Sequence, residues 1–188
     1  MTTTTLETPR LLLRPPEPSD FPSYAEFAAD PTTMEHLGGV QHEADAWRAF
    51  AGFLGAWQLT PAAMFAVVEK SSGQWIGRIG PWEPHLWPVK EVGWGLMRSA
   101  EGKGYALEAA VASIDHVFND LGWDRVDHLI ADANTRSQVL ARRLGSTPGE
   151  EKQMPGSLAE HQVRAWGQTR DEWFARRDNF DELVPRGS

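Results

Sequence analysis

The chain contains no cysteine. That excludes a disulfide framework and a thiolate nucleophile. It also lacks any apolar run near the roughly 18 residues that a bilayer-spanning helix needs. The opening Met1-Thr2-Thr3-Thr4-Thr5 has neither the charged nor the apolar part of a signal peptide. A cytoplasmic location is therefore the expectation. Basic residues are in deficit, with 18 Lys and Arg against 26 Asp and Glu and a formal net charge of −8. Such a balance argues against a general nucleic-acid binder and mildly favours attraction of a cationic amine. The six histidines show no metal-ligand spacing, so no metal is expected. No internal repeat is visible.

The last six residues, Leu183-Val184-Pro185-Arg186-Gly187-Ser188, read as a thrombin-cleavage linker left by recombinant expression. Removing its one arginine takes the formal charge from −8 to −9. Residues 1–182 then suit a single domain with a sizeable core.

What the chain does have is a strand, a glycine loop and a long amphipathic helix in succession. Glu91 to Met97 reads as the strand. Glu101-Gly102-Lys103-Gly104-Tyr105-Ala106 follows. Leu107, Val111, Ile114, Phe118 and Leu121 then recur at helical spacing and share one face. The first turn of a helix carries amide N–H groups with no intrahelical partner, in the positive potential of the helix dipole. Glycines let a diphosphate come close to that backbone. The loop fits neither the GxxxxGK[ST] nor the GxGxxG pattern.

The other elements follow from pattern and breakers. Leu11 to Arg14 reads as a strand stopped by Pro15 and Pro16. Ser19 or Asp20 caps a helix that Pro31 ends. Glu43 to Trp57 reads as a helix. Phe65 to Glu69 and Trp75 to Gly80 form a hairpin around Ser71-Ser72-Gly73. Pro81 to Pro88 reads as an irregular loop. Arg125 to Ala131 is a strand, and Ser137 to Leu144 is a helix stopped by Gly145. Gln162 to Gly167 is a late strand, and Asp171 to Arg176 closes the domain. The order describes an α/β chain with a mixed sheet and helices packed on it.

Several segments now align with one family in its order: Thr8-Pro9-Arg10-Leu11-Leu12-Leu13-Arg14, Ile76-Gly77-Arg78-Ile79-Gly80, Glu91-Val92-Gly93-Trp94, Gly102 to Ala109, Asn134 to Leu140, Leu144-Gly145 and Thr169 to Trp173. Together they resemble the GNAT superfamily of acetyl-CoA-dependent N-acetyltransferases, and within it the RimJ/RimL-like branch. The resemblance implies a central, mostly antiparallel sheet with helices on both faces. It also implies that the fourth and fifth strands splay apart, exposing edges that a pantetheine arm joins as an added strand would. Two positions depart from the pattern. Glu101 stands where the superfamily usually has Gln or Arg, which leaves a backbone cradle intact. Ser146 stands where the branch usually has an aromatic, which removes a packing contact near the cofactor end.

The resemblance assigns roles residue by residue. Gly102, Lys103, Gly104, Tyr105 and Ala106 would hold the diphosphate of acetyl-CoA, the cosubstrate. Leu96 and Met97 would meet pantetheine through the backbone. Asn134 would hydrogen-bond the pantetheine amides, or cap the next helix, or both. Ser137 would lie near the cofactor sulfur and donate a proton to the thiolate, unless it is only a helix N-terminal serine. Trp47, Trp57, Trp82, Trp87 and Trp94 fall in segments that would line the acceptor side, with Trp82, Trp87 and Trp94 as substrate-binding candidates. Trp75, Trp123 and Trp173 are expected in the core.

The acceptor amine must be neutral to attack a thioester. An α-amino group of pKa about 8 is neutral in on the order of a tenth of molecules at pH 7. A lysine of pKa about 10.4 is neutral in roughly one molecule per few thousand. That gap is worth roughly 3 kcal/mol, so a base matters more for a lysine or polyamine. Glu91 is the first candidate base, against the alternative of a paired strand-end carboxylate. Glu83 and His85 are further candidates. The expected activity is direct acetyl transfer to a primary amine, either a protein or peptide N-terminus or a small molecule such as a polyamine or aminoglycoside. A non-catalytic acyl-CoA sensor is the alternative from another class. Expected partners are the amine and at most a second copy in a homodimer, with no nucleic acid and no membrane.

Overall fold

A computed structural model of the chain describes residues 4–186. Among these residues eight strands form one sheet in the order β1-β2-β3-β4-β5-β6-β8-β7. They are β1 (Leu6–Glu7), β2 (Leu11–Arg14), β3 (Phe65–Glu69), β4 (Gln74–Trp82), β5 (Glu91–Leu96), β6 (Arg125–Ile130), β7 (Thr147–Gln153) and β8 (Gln162–Thr169). Every neighbouring pair is antiparallel except β5 and β6. Among the described residues six α-helices accompany the sheet: α1 (Phe21–Ala29), α2 (Pro31–Met34), α3 (Glu43–Leu59), α4 (Tyr105–Asn119), α5 (Thr135–Leu144) and α6 (Arg170–Phe174). None is long and apolar enough among the described residues to cross a membrane.

The core lies on both faces of the sheet, as strand alternation requires. On one face Leu11, Leu13, Phe65, Val67 and Ile79 pack under Val111, Ile114 and Phe118 of α4. On the other, Met64, Ala66 and Trp75 meet Tyr24 and Phe27 of α1 and Phe50 and Phe53 of α3. Trp75, Trp123 and Trp173 are all buried, as expected.

Three differences from the sequence reading have simple causes. First, β4 runs on through Pro81 and Trp82, where a loop was expected. Pro81 points its nitrogen away from β5, toward a position where β3 has already ended, so no ladder bond is lost. Second, β7 is an added edge strand. Its sequence Thr147-Pro148-Gly149-Glu150-Glu151-Lys152-Gln153 has no apolar alternation, and the strand is almost wholly exposed. Charge, proline and the register shift between Pro148 and Glu151 suit an unprotected edge. Third, Pro31 does not only end α1. It opens α2, with Asp30 accepting from the Thr33 amide at 2.6 Å.

The tail read as a linker packs on the domain as far as it is described. Val184 is buried in the main core, and its carbonyl accepts from Arg177. Gly187 and Ser188 lie outside the described residues, as do Met1 to Thr3 of the N-terminal stretch.

Candidate active site

The glycine loop and the first turn of α4 form one wall of a cavity of about 780 Å³. Gly102 and Gly104 have φ of +73° and +82°, a left-handed backbone that side chains resist. Gly104 is the N-cap of α4 and offers no capping oxygen. Among the described residues, none of the amides from Gly102 to Ala106 donates a hydrogen bond. They line the cavity together with the cationic side chains of Lys103, Arg136 and Arg143. A row of unpaired donors at the positive end of a 15-residue helix fits a diphosphate. Glu101 does not disturb this, because its carboxylate pairs with Arg136 at 2.7 Å. The Tyr105 side chain turns away, bonding Glu69 and lying under the Arg10 guanidinium. Its contribution to the cavity is therefore its amide.

The opening comes from the one parallel pair. β5 and β6 share a single register position, Glu91 with Asp127, where the Asp127 amide donates to the Lys90 carbonyl at 3.0 Å. The first rung beyond that position would join the Leu129 amide to the Val92 carbonyl. Instead the Leu129 amide donates to Glu91 Oε1 at 3.1 Å. The Val92 carbonyl accepts from His128 Nδ1 at 2.6 Å. Two side chains thus replace the ladder, and beyond them the strands part. Strand alternation then aims the backbone of Trp94 and Leu96 into the gap. Met97 does not join them: its amide donates to Ile76 and its carbonyl accepts from Ala100.

A second cavity, of about 170 Å³, lies on the other side of the gap. Trp94, Asn134 and Ser137 line both cavities and mark their junction. Trp94 Nε1 donates to Ser137 Oγ at 3.1 Å, so the serine hydroxyl proton remains available to another acceptor. The Ser137 amide donates to Asn134 Oδ1 at 3.1 Å, which caps α5 and leaves the Asn134 amide nitrogen for other partners. Trp82, Trp87 and Glu91 line the second cavity. Glu91 is 7 % exposed. Burial pushes its carboxyl up to about 7, against the opposing pull of the Leu129 amide, Trp87 Nε1 (2.7 Å) and Arg78. A carboxyl that titrates near neutrality beside an acceptor space is suited to general base work.

Other expected side chains stand elsewhere. Trp47 is exposed on α3 and lines neither cavity. Trp57 packs on Phe65 and donates to the Met64 carbonyl. Glu83 and His85 are exposed on the loop and line neither cavity. Ser146 is not a lost packing contact. It is buried and joins His128 Nε2 and Gln168 Nε2, both at 3.1 Å. This network holds the His128 ring against Trp94, with 4.6 Å between ring centres.

Residues 10–147 match the model of the acetyltransferase (GNAT) domain family. The chain belongs to the GNAT acetyltransferase family. It is an acyltransferase by that membership. It is 30 % identical to an acetyltransferase of Agrobacterium tumefaciens of known structure, with a TM-score of 0.77, covering 90 % of this chain and 96 % of that one. It is 27 % identical over 141 residues to an uncharacterized N-acetyltransferase of Bacillus subtilis, YnaD, covering 74 % of this chain and 81 % of the relative. The ribosomal-protein-S5-alanine acetyltransferase of Vibrio fischeri shares the fold, at 19 % identity and a TM-score of 0.67, with 90 % and 98 % covered.

Within this GNAT domain, sequence reasoning missed the support of the glycine loop. Glu108 is fully buried in the first turns of α4. It accepts from Thr8 Oγ1 at 2.6 Å, the Arg10 amide at 2.9 Å and Arg10 Nε at 2.6 Å. Arg10 Nη1 in turn donates to the Lys103 carbonyl at 2.9 Å. The Thr8-Pro9-Arg10 segment therefore clamps the loop from about a hundred residues away in the chain. Its trace in the sequence is a carboxylate between Leu107 and Ala109, in the first turn of a helix that is otherwise mostly apolar there.

Proposed function

We propose that this GNAT domain moves the acetyl group of acetyl-CoA directly to a primary amine. Acetyl-CoA supplies the activated thioester. The amides of Gly102 to Ala106 hold its diphosphate, and Lys103 adds a screened charge. The free backbone of Trp94 and Leu96, with the Asn134 amide, orients the pantetheine arm along the gap. Glu91 takes the proton that the amine gives up as its nitrogen bonds to the acetyl carbon. Ser137 donates a hydrogen bond to the sulfur as the carbon–sulfur bond breaks and the thiolate leaves. A thiol of pKa about 8.5 leaves readily near neutrality, so the serine's help is small. With no cysteine in the chain, an acyl-cysteine intermediate has no place. Most of the acceleration comes from holding amine and thioester in line.

The observation that carries this reading is the junction: two cavities meet at Trp94, Asn134 and Ser137, with Glu91 on the far side from the glycine loop. A base of pKa about 7 suits an α-amino group, which needs little help to become neutral. Together with the RimJ/RimL-like motifs, this supports an α-amine over a lysine or polyamine as acceptor. Isothermal titration with acetyl-CoA, joined to a thiol-release assay over an amine panel, tests it. We expect binding and turnover. Binding without turnover on any amine would favour an acyl-CoA sensor.

A further inference from the structure

Arg78 on β4 lines the acceptor cavity with Trp82, Trp87 and Glu91. Its side chain is partly buried, yet it has no partner suited to a guanidinium. Among the described residues its one hydrogen bond runs from Nη1 to the Met64 thioether at 3.1 Å, and sulfur is a weak acceptor. Its Nε is buried with no partner at all. Glu91 is the acid in the same cavity, but its two oxygens already accept from the Leu129 amide and Trp87 Nε1. It acts on Arg78 through space, without an ion-pair contact. Gly93 leaves room for this arrangement, since a Cβ there would meet the Met64 methyl at 2.6 Å.

A partly desolvated guanidinium without an oxygen acceptor is costly unless a ligand completes it. Its planar fork matches a carboxylate in a charge-assisted pair. The cavity also limits size. At about 170 Å³ it falls below the roughly 300 Å³ at which drug-sized pockets begin. That is too small for an aminoglycoside. We propose that the acceptor is a small amine bearing a carboxylate, of the amino-acid class. Arg78 holds its carboxylate, Glu91 serves its amine, and Trp82 and Trp87 enclose an apolar remainder. This deepens the amine-acetyltransferase reading and rests on it.

Trp82 and Trp87 provide a direct readout. Tryptophan fluorescence of the full chain, with coenzyme A present, is titrated with each of the twenty standard amino acids. Those that bind are compared with their carboxamides. We expect at least one amino acid to bind about tenfold or more tighter than its carboxamide, the loss typical of a charge-assisted hydrogen bond. Arg78→Met should bring the pair to parity while acetyl-CoA affinity, measured on the same variant, stays unchanged and reports a folded site. Arg78→Lys should keep part of the preference. Binding by no amino acid, equal binding of acid and carboxamide, or a preference that survives Arg78→Met overturns the assignment. Thiol release separates this inference from the reading beneath it. Transfer to carboxamides and acids alike sinks the role of Arg78 and leaves the enzyme. A carboxylate preference without acetyl transfer supports Arg78 and sinks the enzyme.

Discussion

A side chain that must take a proton near pH 7 has to be held well away from an ordinary carboxylate's range. Glu91 meets that demand by burial, which raises it to about 7 while two donors keep the ionised form attainable. Activity should therefore rise with pH through about 7. Glu91→Gln should lower kcat/KM at neutral pH by about a hundredfold or more and flatten that rise, as loss of a general base does. A thiol-release pH profile identical to the parent's removes Glu91 from the chemistry. Gly104 poses a separate question of backbone and charge. Its φ of +82° is strained for most residues, but asparagine tolerates it. Gly104→Asn and Gly104→Asp have similar shape and backbone cost. The aspartate should bind acetyl-CoA at least about tenfold more weakly by titration calorimetry, because it adds a negative charge at the phosphate loop, even with its Cβ 3.4 Å from Arg10 Nη2. Equal affinities would move the diphosphate elsewhere.

Elements, in turn, are aimed by contacts their own sequences do not contain. The start of α4 is oriented by the Thr8–Arg10–Glu108 clamp, in which a fully buried carboxylate satisfies three donors. Glu108→Ala leaves those donors and the buried part of Arg10 without their acceptor. Urea unfolding should show a loss of about 3 kcal/mol or more. A loss under about 1 kcal/mol, typical of an exposed ion pair, would mean that the clamp is dispensable. The parting of β5 and β6 is likewise an element-scale event. Glu91 and His128 occupy the backbone groups that would otherwise zip the strands further.

These same two residues shape how the whole molecule responds to acid. Burial lowers the His128 imidazole to about 4, below its ordinary 6.5. Its neutral form is favoured in the fold, so its contribution is present above pH 6.5 and is lost as pH falls from there to 4. Glu91 runs the other way. Its folded value of about 7 exceeds the ordinary 4.5, so stability is gained as pH falls from 7 to 4.5. Each effect is on the order of 3 kcal/mol, and they oppose each other across the shared window. The parent's urea midpoint should change little between pH 6.5 and 4.5. Glu91→Gln should expose a fall with acid, and His128→Asn a rise. The slope rather than the level is the test, since both changes also remove hydrogen bonds. Parallel slopes for parent and variants would refute the opposing titrations.

Local features were legible in the sequence because local physics makes them. The glycine loop needs left-handed backbone at Gly102 and Gly104. The apolar stripe from Val111 to Phe118 specifies the buried face of α4. Cysteine-free chemistry follows from composition alone. β7 was invisible because an exposed edge strand needs no apolar pattern, and Met97 was misplaced because only strand pairing decides which way an amide points. The tertiary structure alone decided the rest. It brought Thr8 to Glu108, set Ser146 against His128, and left Arg78 beside a thioether with no ion-pair contact among the described residues. Hydrogen bonds and desolvation depend on distances in space, and residues up to a hundred positions apart acquire those distances only when the sheet has closed around them.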